Sequence, residues 1–317
     1  MRGSAQWRHA VLALLGLVMA SRSATWAGAA ELGEIRQVHI AVTSQLHGSI
    51  TSRLVAPDMW PGGIAHLAQH VRCLREIWPD LILVDAGNAL TGAPDAPGTA
   101  DRHSLPAIVR PMETLRYDAA ILGDRDLGRA LEITAAVIGK TPFPWLAANV
   151  KSPALPDLSE FTVVERSGLR IGFIGLVSPS TVLGHKPGQT GPIRVEEVES
   201  VARREAIRIR DREHADLMIA VGGGAAGGDF DRDTALLMGL PPFQAAGLLA
   251  DEVPELDLII ASRGRSPRKV DVARPNRSYK TPLIEPIGGS RALTMLTLDV
   301  GRTGSRWTIA NLAQETL

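Results

Sequence analysis

The 317-residue sequence lacks features that define whole classes of proteins. Cys73 is the single cysteine, so an intramolecular disulfide is impossible. The side chain of Cys73 falls among helically spaced apolar residues, which predicts that it is buried. Equal numbers of basic and acidic residues, 34 of each, leave no net formal charge, so a nucleic-acid partner is not expected. A hydrophobic content of 45 % is enough to form a large core.

A long hydrophobic run is also missing. The apolar segment Val11–Ala20 has half of the ~20 residues that a membrane-spanning helix needs. Arg2 and Arg8 precede this segment and small residues follow it up to Ala30, an order typical of a secretory signal. We therefore predict that residues 1–30 are a signal peptide, cleaved rather than kept as an anchor. The mature protein is then periplasmic or secreted, without a membrane span.

Several catalytic motifs are absent as well. There is no Gly-x-Ser-x-Gly elbow, and the glycine-rich stretch "VGGGAAGGDF" lacks the Gly-Lys-Ser/Thr ending of a phosphate-binding loop. His66 and His70 have the spacing of a helical metal clip. Without a third ligand, we interpret them as a surface pair.

Apolar strands alternate with amphipathic helices along the chain, which predicts an α/β fold. We expect a strand over Val38–Val42, a helix from Ile64 and another from about Leu127. A hairpin should turn at Ser167–Gly168, and a long solvent-facing helix should span Val195–His214.

Polar or glycine-containing loops follow the predicted strands. Because the carboxyl ends of parallel strands converge on one crevice, these loops predict one shared site. In chain order they hold Gln45 and His47; Asn88; Asp124 to Asp126; Gly222 to Gly224; and Arg263 with Arg265.

A series of sequence blocks also points to a family. In order, the blocks are "TSQLHG", "GGIAHLA", "LVDAGNALTG", "YDAAILGDRDLG", "FPWLAANV", "ADLMIAVGGG" and "VPELDLIIASRGR". They resemble the calcineurin-like metallophosphoesterases, specifically the catalytic domain of the 5′-nucleotidase and 2′,3′-cyclic-nucleotide phosphodiesterase branch. The likeness runs from Val38 to Val300. It implies a sandwich of two mixed β-sheets flanked by helices, one domain over residues 31–317, and no counterpart of that branch's C-terminal domain.

The resemblance also implies that a site for two divalent metals has been altered. Of the positions that ligate metal in the family, only the one at His47 keeps its residue. Amides are weak metal ligands and a guanidinium cannot ligate a metal, so the implied site is degenerate. The replacements are Gln45 and Asn88 for aspartates, Asp124 for an asparagine, and Gly223, Arg263 and Arg265 for histidines; Arg125 stands at the position of the catalytic histidine.

Together with the predicted signal peptide, these replacements predict an exported, non-hydrolysing protein without a cofactor. It would bind a phosphate-like or nucleotide anion, or a periplasmic protein. Arg125, Arg263 and Arg265 are the anion-binding candidates, or they form a structural ion network with Asp124 and Asp126.

Two alternatives stay open. The first is a weak or single-metal phosphoesterase that uses a divalent metal such as Zn or Mn, and the second is a structural subunit of a periplasmic complex. The residual metal-ligand candidates are Gln45, His47, Asn88 and Asp124, and the other expected crevice residues are Asp126, Asn149 and Gly223.

Overall fold

A computed structural model describes most of the chain after the predicted signal segment. The described residues are 33–50, 63–90, 105–123, 126–127, 131–177, 193–223, 245–262, 280–289 and 292–317. Four predicted site residues, Asp124, Arg125, Arg263 and Arg265, lie outside them, as does the predicted signal. Within the described ranges, no helix is both long and apolar enough to cross a bilayer.

Strands and helices alternate in roughly the first half of the chain, up to residue 146, and four more described strands then follow one another before the next described helix. The strands are β1 (Ile35–Thr43), β2 (Ile82–Asp85), β3 (Ala119–Ile121), β4 (Trp145–Leu146), β5 (Val150–Lys151), β6 (Phe161–Arg166), β7 (Leu169–Val177), β8 (Arg194–Val195), β9 (Leu217–Gly223), β10 (Leu258–Ser262), β11 (Leu283–Ile284), β12 (Thr294–Thr303) and β13 (Arg306–Thr316). The helices are α1 (Ile64–Ile77), α2 (Leu105–Thr114), α3 (Leu131–Val137), α4 (Val198–Glu213) and α5 (Ala245–Glu252).

Two large mixed sheets and one small ribbon contain these strands. The six-stranded sheet has the order β13-β12-β1-β2-β3-β4, and the five-stranded sheet has the order β11-β10-β9-β7-β6. In the first sheet, β1 to β4 are parallel, whereas β12 and β13 are antiparallel. In the second, only β6 is antiparallel to its neighbour. Strands β5 and β8 form the ribbon.

The two large sheets pack face to face with helices outside. Alternate residues of β1, such as Val38 and Ile40, pack with Phe173 of β7 in the central core, as the two-residue period of a strand requires. On the other face of β1, Ala41 packs with residues of α1 to α3. Helices α4 and α5 cover the five-stranded sheet, where Val201 is among the buried residues. Each large apolar side chain buried in this way contributes about 1.5–3 kcal/mol.

The sandwich of two mixed sheets flanked by helices is therefore confirmed. Helix α1 begins at Ile64 as expected, and the β6–β7 hairpin turns at Ser167 and Gly168, both with a positive φ. Close packing of the two sheets requires a glycine at position 175, because a Cβ on Gly175 would lie 2.5 Å from Cβ of Leu146.

Other details differ from the sequence-based expectations. Cys73 is half-buried, because it lies beside the buried stripe of α1 rather than within it. Leu127, near which a helix was expected to begin, lies in a turn, and the described helix α3 is Leu131–Val137. Helix α4 is solvent-facing on one side only, since residues such as Ile209 are buried. Strand β13 was not predicted: its residues pair with β12 at the edge of a sheet, where a weak alternation of apolar residues suffices.

Candidate functional site at the carboxyl ends of the strands

Two loops at the carboxyl ends of β1 and β2 are joined by backbone hydrogen bonds. The N–H of Gln45 donates to the carbonyl of Gly87 at 2.9 Å, and the N–H of His47 donates to the carbonyl of Asn88 at 2.8 Å. Gln45, His47 and Asn88 have φ values of 57°, 50° and 61°, in the left-handed region that non-glycine residues seldom adopt. Such conformations tend to cluster at functional sites.

The side chains on these loops form an uncharged hydrogen-bonded network. Asn88 Nδ2 donates to Gln45 Oε1 at 3.1 Å, and Gln45 Nε2 donates to Ser262 Oγ at 2.9 Å. The hydroxyls of Ser262 and Ser44 are also hydrogen-bonded to each other. All four residues are buried. The network, which we call the crevice floor, links the ends of β1, β2 and β10 and hence the two large sheets.

Asp126 lies against the crevice floor and fixes the backbone around Asn88. Its carboxylate accepts the N–H groups of Asn88 and Gly123 at 3.0 Å each, and that of Leu90 at 3.2 Å. The side chain has no solvent exposure. Asp126 is thus next to the predicted site, but its oxygens hold the β2 and β3 loops together.

The end of β3 approaches Asn88 closely. A Cβ on Gly123 would lie 2.0 Å from Asn88 Oδ1 and 2.6 Å from the Asn88 backbone nitrogen. Only a residue without a side chain fits there without moving the loop.

A second buried carboxylate, Asp85, lies beneath the crevice floor. Thr43 Oγ1 donates to Asp85 Oδ2 at 2.7 Å, and the Gly87 N–H donates to Oδ1 at 2.9 Å. The Tyr117 hydroxyl lies 3.0 Å from Thr43 Oγ1 and can donate to it. Burial raises the pKa of Asp85 to about 8, and the charge of Asp126 adds to this rise, although the Thr43 and Gly87 hydrogen bonds oppose it. At neutral pH, Asp85 is therefore mostly protonated.

Two further predicted residues, Asn149 and Gly223, shape the backbone around the crevice. The Asn149 side chain bonds the N–H and carbonyl of Val177 at 2.9 and 2.7 Å, and its Nδ2 donates to the carbonyl of Glu196 at 3.2 Å. It thereby ties the segment after β4 to the ends of β7 and β8. Gly223 pairs with Ser262 in the sheet, so the backbone of β9 ends beside the crevice floor.

The predicted convergence of loops is thus seen for Gln45, His47, Asn88, Asp126 and Gly223. Sequence reasoning missed Ser44, Ser262 and Asp85. Ser44 and Ser262 directly precede Gln45 and Arg263, at the ends of apolar strands, and this position was the available signal.

The described residues do not fit the two metals that the resemblance implies. In the described ranges, no group of three or more His, Cys, Asp or Glu side chains is placed to hold a metal ion. The crevice floor offers neutral amides and hydroxyls, and these amides already bond each other. Amide and hydroxyl oxygens without a carboxylate or imidazole are poor ligands for transition metals.

Comparisons with known proteins agree with the fold. No family model matches the chain. The trifunctional nucleotide phosphoesterase YfkN of Bacillus subtilis is 26 % identical over 217 residues, which cover 61 % of this chain and 15 % of that protein. The 2′,3′-cyclic-nucleotide 2′-phosphodiesterase/3′-nucleotidase of Haemophilus influenzae is 24 % identical over 295 residues, which cover 84 % of this chain and 43 % of that protein.

Solved structures extend the match over most of the chain. The calcineurin-like phosphoesterase YfkN from Bacillus subtilis superposes with a TM-score of 0.68 and 20 % identity, over 89 % of this chain and 91 % of that one. The resemblance to the calcineurin-like phosphoesterases is confirmed. A 5′-nucleotidase precursor from Thermus thermophilus gives a TM-score of 0.60 and 18 % identity, over 89 % of this chain and 54 % of that one. The chain spans less than half the length of the two curated phosphoesterases.

Proposed function

We propose that this chain is an exported, non-hydrolysing protein with a phosphoesterase fold, whose crevice binds an anion or a protein partner. The observation that best supports this function is the Gln45 amide, which spans Asn88 and Ser262. Gln45 and Asn88 stand where the resemblance implies aspartate ligands of two metals. A pair of divalent cations needs concentrated negative charge, and the crevice floor is uncharged instead.

The hydrogen bonds of the crevice floor also oppose a return of metal. Gln45 Oε1 is engaged by Asn88, and Gln45 Nε2 directs N–H donors toward Ser262. A cation would have to break these bonds and would face amide hydrogens. Hydrolysis by the family's route needs a metal-activated hydroxide and an imidazole acid, and Arg125 replaces that imidazole in the resemblance.

Arginines that neighbour crevice residues in the sequence would supply the positive charge that an anion needs. Arg263 directly follows Ser262, and Arg125 directly precedes Asp126. We infer that Arg125, Arg263 and Arg265 hold a phosphate, sulfate or carboxylate by charge-assisted hydrogen bonds, each worth about 1.5–3 kcal/mol.

Calorimetry tests the anion site. Phosphate, sulfate and AMP are titrated into the parent, into the Arg263→Ala/Arg265→Ala double variant, and into Arg72→Ala, which removes an exposed arginine of α1. We expect binding by the parent and by the α1 variant, and loss of at least tenfold in the double variant, about 1.4 kcal/mol. If the parent does not bind, or the double variant binds equally well, the arginines are structural ion-pair partners.

A weak or single-metal phosphoesterase is the alternative that a specific contact favours. His47 keeps the family's residue, and its backbone lies against Asn88 with an N···O distance of 2.8 Å. Metal content after purification without chelator, together with hydrolysis of bis-nitrophenyl phosphate and AMP, distinguishes the two functions. Stoichiometric Zn or Mn, with turnover that His47→Ala abolishes, would establish the enzyme.

Export and a protein partner need separate tests. Cell fractionation and N-terminal sequencing check the signal, since cleavage near Ala30 removes the apolar segment Val11–Ala20. Cross-linked pull-down from the periplasm then distinguishes a partner-binding protein or structural subunit from a protein that binds only small anions.

A further inference from the structure

A cavity of about 950 Å³ lies at the side of the sandwich, next to the β5–β8 ribbon. This volume is within the usual range of small-molecule sites. Its wall is apolar where the segment after β5 contributes Leu155 and Leu158, and where Ile193 precedes β8. The lining also includes Lys151 and Arg194.

The two basic side chains are placed in an unfavourable pair. Lys151 and Arg194 are directly opposite each other in the antiparallel ribbon, where side chains point to the same face. Like charges in this position destabilise a strand pair. Lys151 is partly compensated, because its Nζ lies 2.6 Å from Glu160 Oε1. No described residue forms a hydrogen bond or ion pair with the Arg194 side chain, which is exposed.

The one acidic residue in the cavity lining, Glu160, already pairs with two basic side chains. Glu160 Oε2 lies 2.6 Å from Arg208 Nη2, so its two oxygens serve two different cations. Arg208 is also held by Glu205 at 2.6 Å and lies over the ring of Phe161 at 4.9 Å. The lining therefore has three basic groups and one carboxylate, with Arg194 left to meet a negative charge from outside the chain.

We propose that this cavity binds an amphipathic anion, a small molecule with an apolar body and one carboxylate, sulfonate or phosphate group. The anionic group lies between Lys151 and Arg194, where it relieves their repulsion. The apolar body packs against Leu155, Leu158 and Ile193. Because the lining combines apolar and basic side chains, a ligand that has both an apolar body and an anionic group fits it better than a ligand with only one of them.

The site is separate from the crevice floor. Ala147 and Val150 line the cavity, but the side chain of Asn149 between them turns to Val177 and Glu196. A ligand in the cavity does not need the Gln45 network or the arginines proposed above, so either proposal can fail without the other.

Three probes of graded chemistry test the proposal. Anilinonaphthalene sulfonate has an aromatic body and a charge, phenylnaphthylamine has a similar body without charge, and sulfate has charge alone. We expect the sulfonate to bind the parent with one-to-one stoichiometry. The two controls should bind at least tenfold more weakly, about 1.4 kcal/mol in binding free energy. Octanoate should displace the sulfonate probe.

Variants identify the site of binding. Arg194→Gln replaces an exposed charge by a shorter neutral polar side chain and should weaken binding of the sulfonate about fivefold or more. Arg72→Gln, on the exposed face of α1, should leave affinity unchanged. Circular dichroism and thermal unfolding confirm that both variants fold. Equal binding by Arg194→Gln and the parent, or equal binding of the uncharged probe and the sulfonate, overturns the proposal.

Discussion

The carboxylates at the two ends of the parallel strands, half-buried at the amino ends and buried at the carboxyl ends, are stabilised in different ways. At the amino ends, an aspartate stands directly before each of β3, β9 and β10 and accepts a backbone N–H from the neighbouring strand. Asp118 accepts from Leu83 at 2.9 Å and Asp257 from Met218 at 2.7 Å. Asp216 accepts from Arg170 at 2.8 Å.

Arginines balance two of these aspartates. Arg166 Nη2 lies 2.7 Å from Asp118, and Arg210 Nη2 lies 2.5 Å from Asp257. Burial raises the pKa of both carboxyls, and the arginines oppose that rise. These carboxylates remain useful whether or not a metal is present, since their partners belong to the chain.

At the carboxyl ends, the corresponding carboxylates are neutral or bound to backbone. Asp85 accepts hydrogen bonds from Thr43 and Gly87, and no described arginine pairs with it. Asp126 is held by three backbone N–H groups. The comparison teaches that the two described carboxylates at this end, Asp85 and Asp126, are stabilised by a proton and by backbone dipoles rather than by a cation.

Removing Asp126 should have the largest effect. Asp126→Ala leaves the buried N–H groups of Asn88, Leu90 and Gly123 without this acceptor, and should cost about 3–5 kcal/mol of unfolding free energy. Urea denaturation measures the loss. Asp80→Ala, at an exposed position, is the control and should change stability little. A loss below 1 kcal/mol, about the value of an ordinary surface change, would contradict this role for Asp126.

Asp85 should make stability depend on pH in the opposite sense to a salt-bridged carboxylate. Its pKa rises from 3.8 to about 8 on folding, so the folded protein keeps a proton that the unfolded chain releases. The contribution of Asp85 is fully present below pH ~4, declines as the pH rises, and is lost above the folded pKa.

The variant Asp85→Asn should remove this decline. Between pH 4 and 9, its free energy of unfolding should fall by about 2–4 kcal/mol less than that of the parent. Thermal unfolding across that range provides the measurement. Parallel pH profiles for the parent and the variant would show that Asp85 does not carry the proton.

Introducing a carboxylate into the crevice floor should destabilise the protein. Asn88→Asp keeps the size and tolerates the left-handed backbone, but turns an oxygen toward Gln45 Oε1 and adds charge near Asp126. We expect a loss of about 1–3 kcal/mol at pH 8. Asn88→Gly controls for loss of the amide alone. Recovery of stability on addition of Mn²⁺ would count against the proposal of a non-metal crevice.

The smallest effect is expected at the amino ends. Asp118→Asn keeps an acceptor for the Leu83 N–H but removes the ion pair with Arg166, which is partly exposed. The expected loss is about 1 kcal/mol, and it should shrink in high salt. A double-mutant cycle with Arg166→Gln isolates the pair. A coupling energy between Asp118 and Arg166 larger than the stability loss caused by Asp126→Ala would contradict the expectation that the carboxyl ends matter more.

Much of the fold followed from local pattern. Alternating apolar residues located β1, helical spacing located α1, and Ser167–Gly168 located the hairpin turn. The edge strand β13 did not follow, because pairing with its neighbour decides such a strand and local preference is weak. The burial of Cys73 was mispredicted for a related reason: the exact face of a helix depends on which residues the sheet covers.

The sequence by itself determined that polar loops follow the strands, and its resemblance to the phosphoesterases implied that Gln45 and Asn88 stand at ligand positions. Tertiary structure alone decided that Gln45 bonds Ser262, a residue 217 positions away. It also decided that the oxygens of Asp126 are used by backbone N–H groups. The physical reason is that hydrogen-bond partners and desolvation depend on how the two sheets meet, whereas periodicity and motif spacing are properties of a single segment.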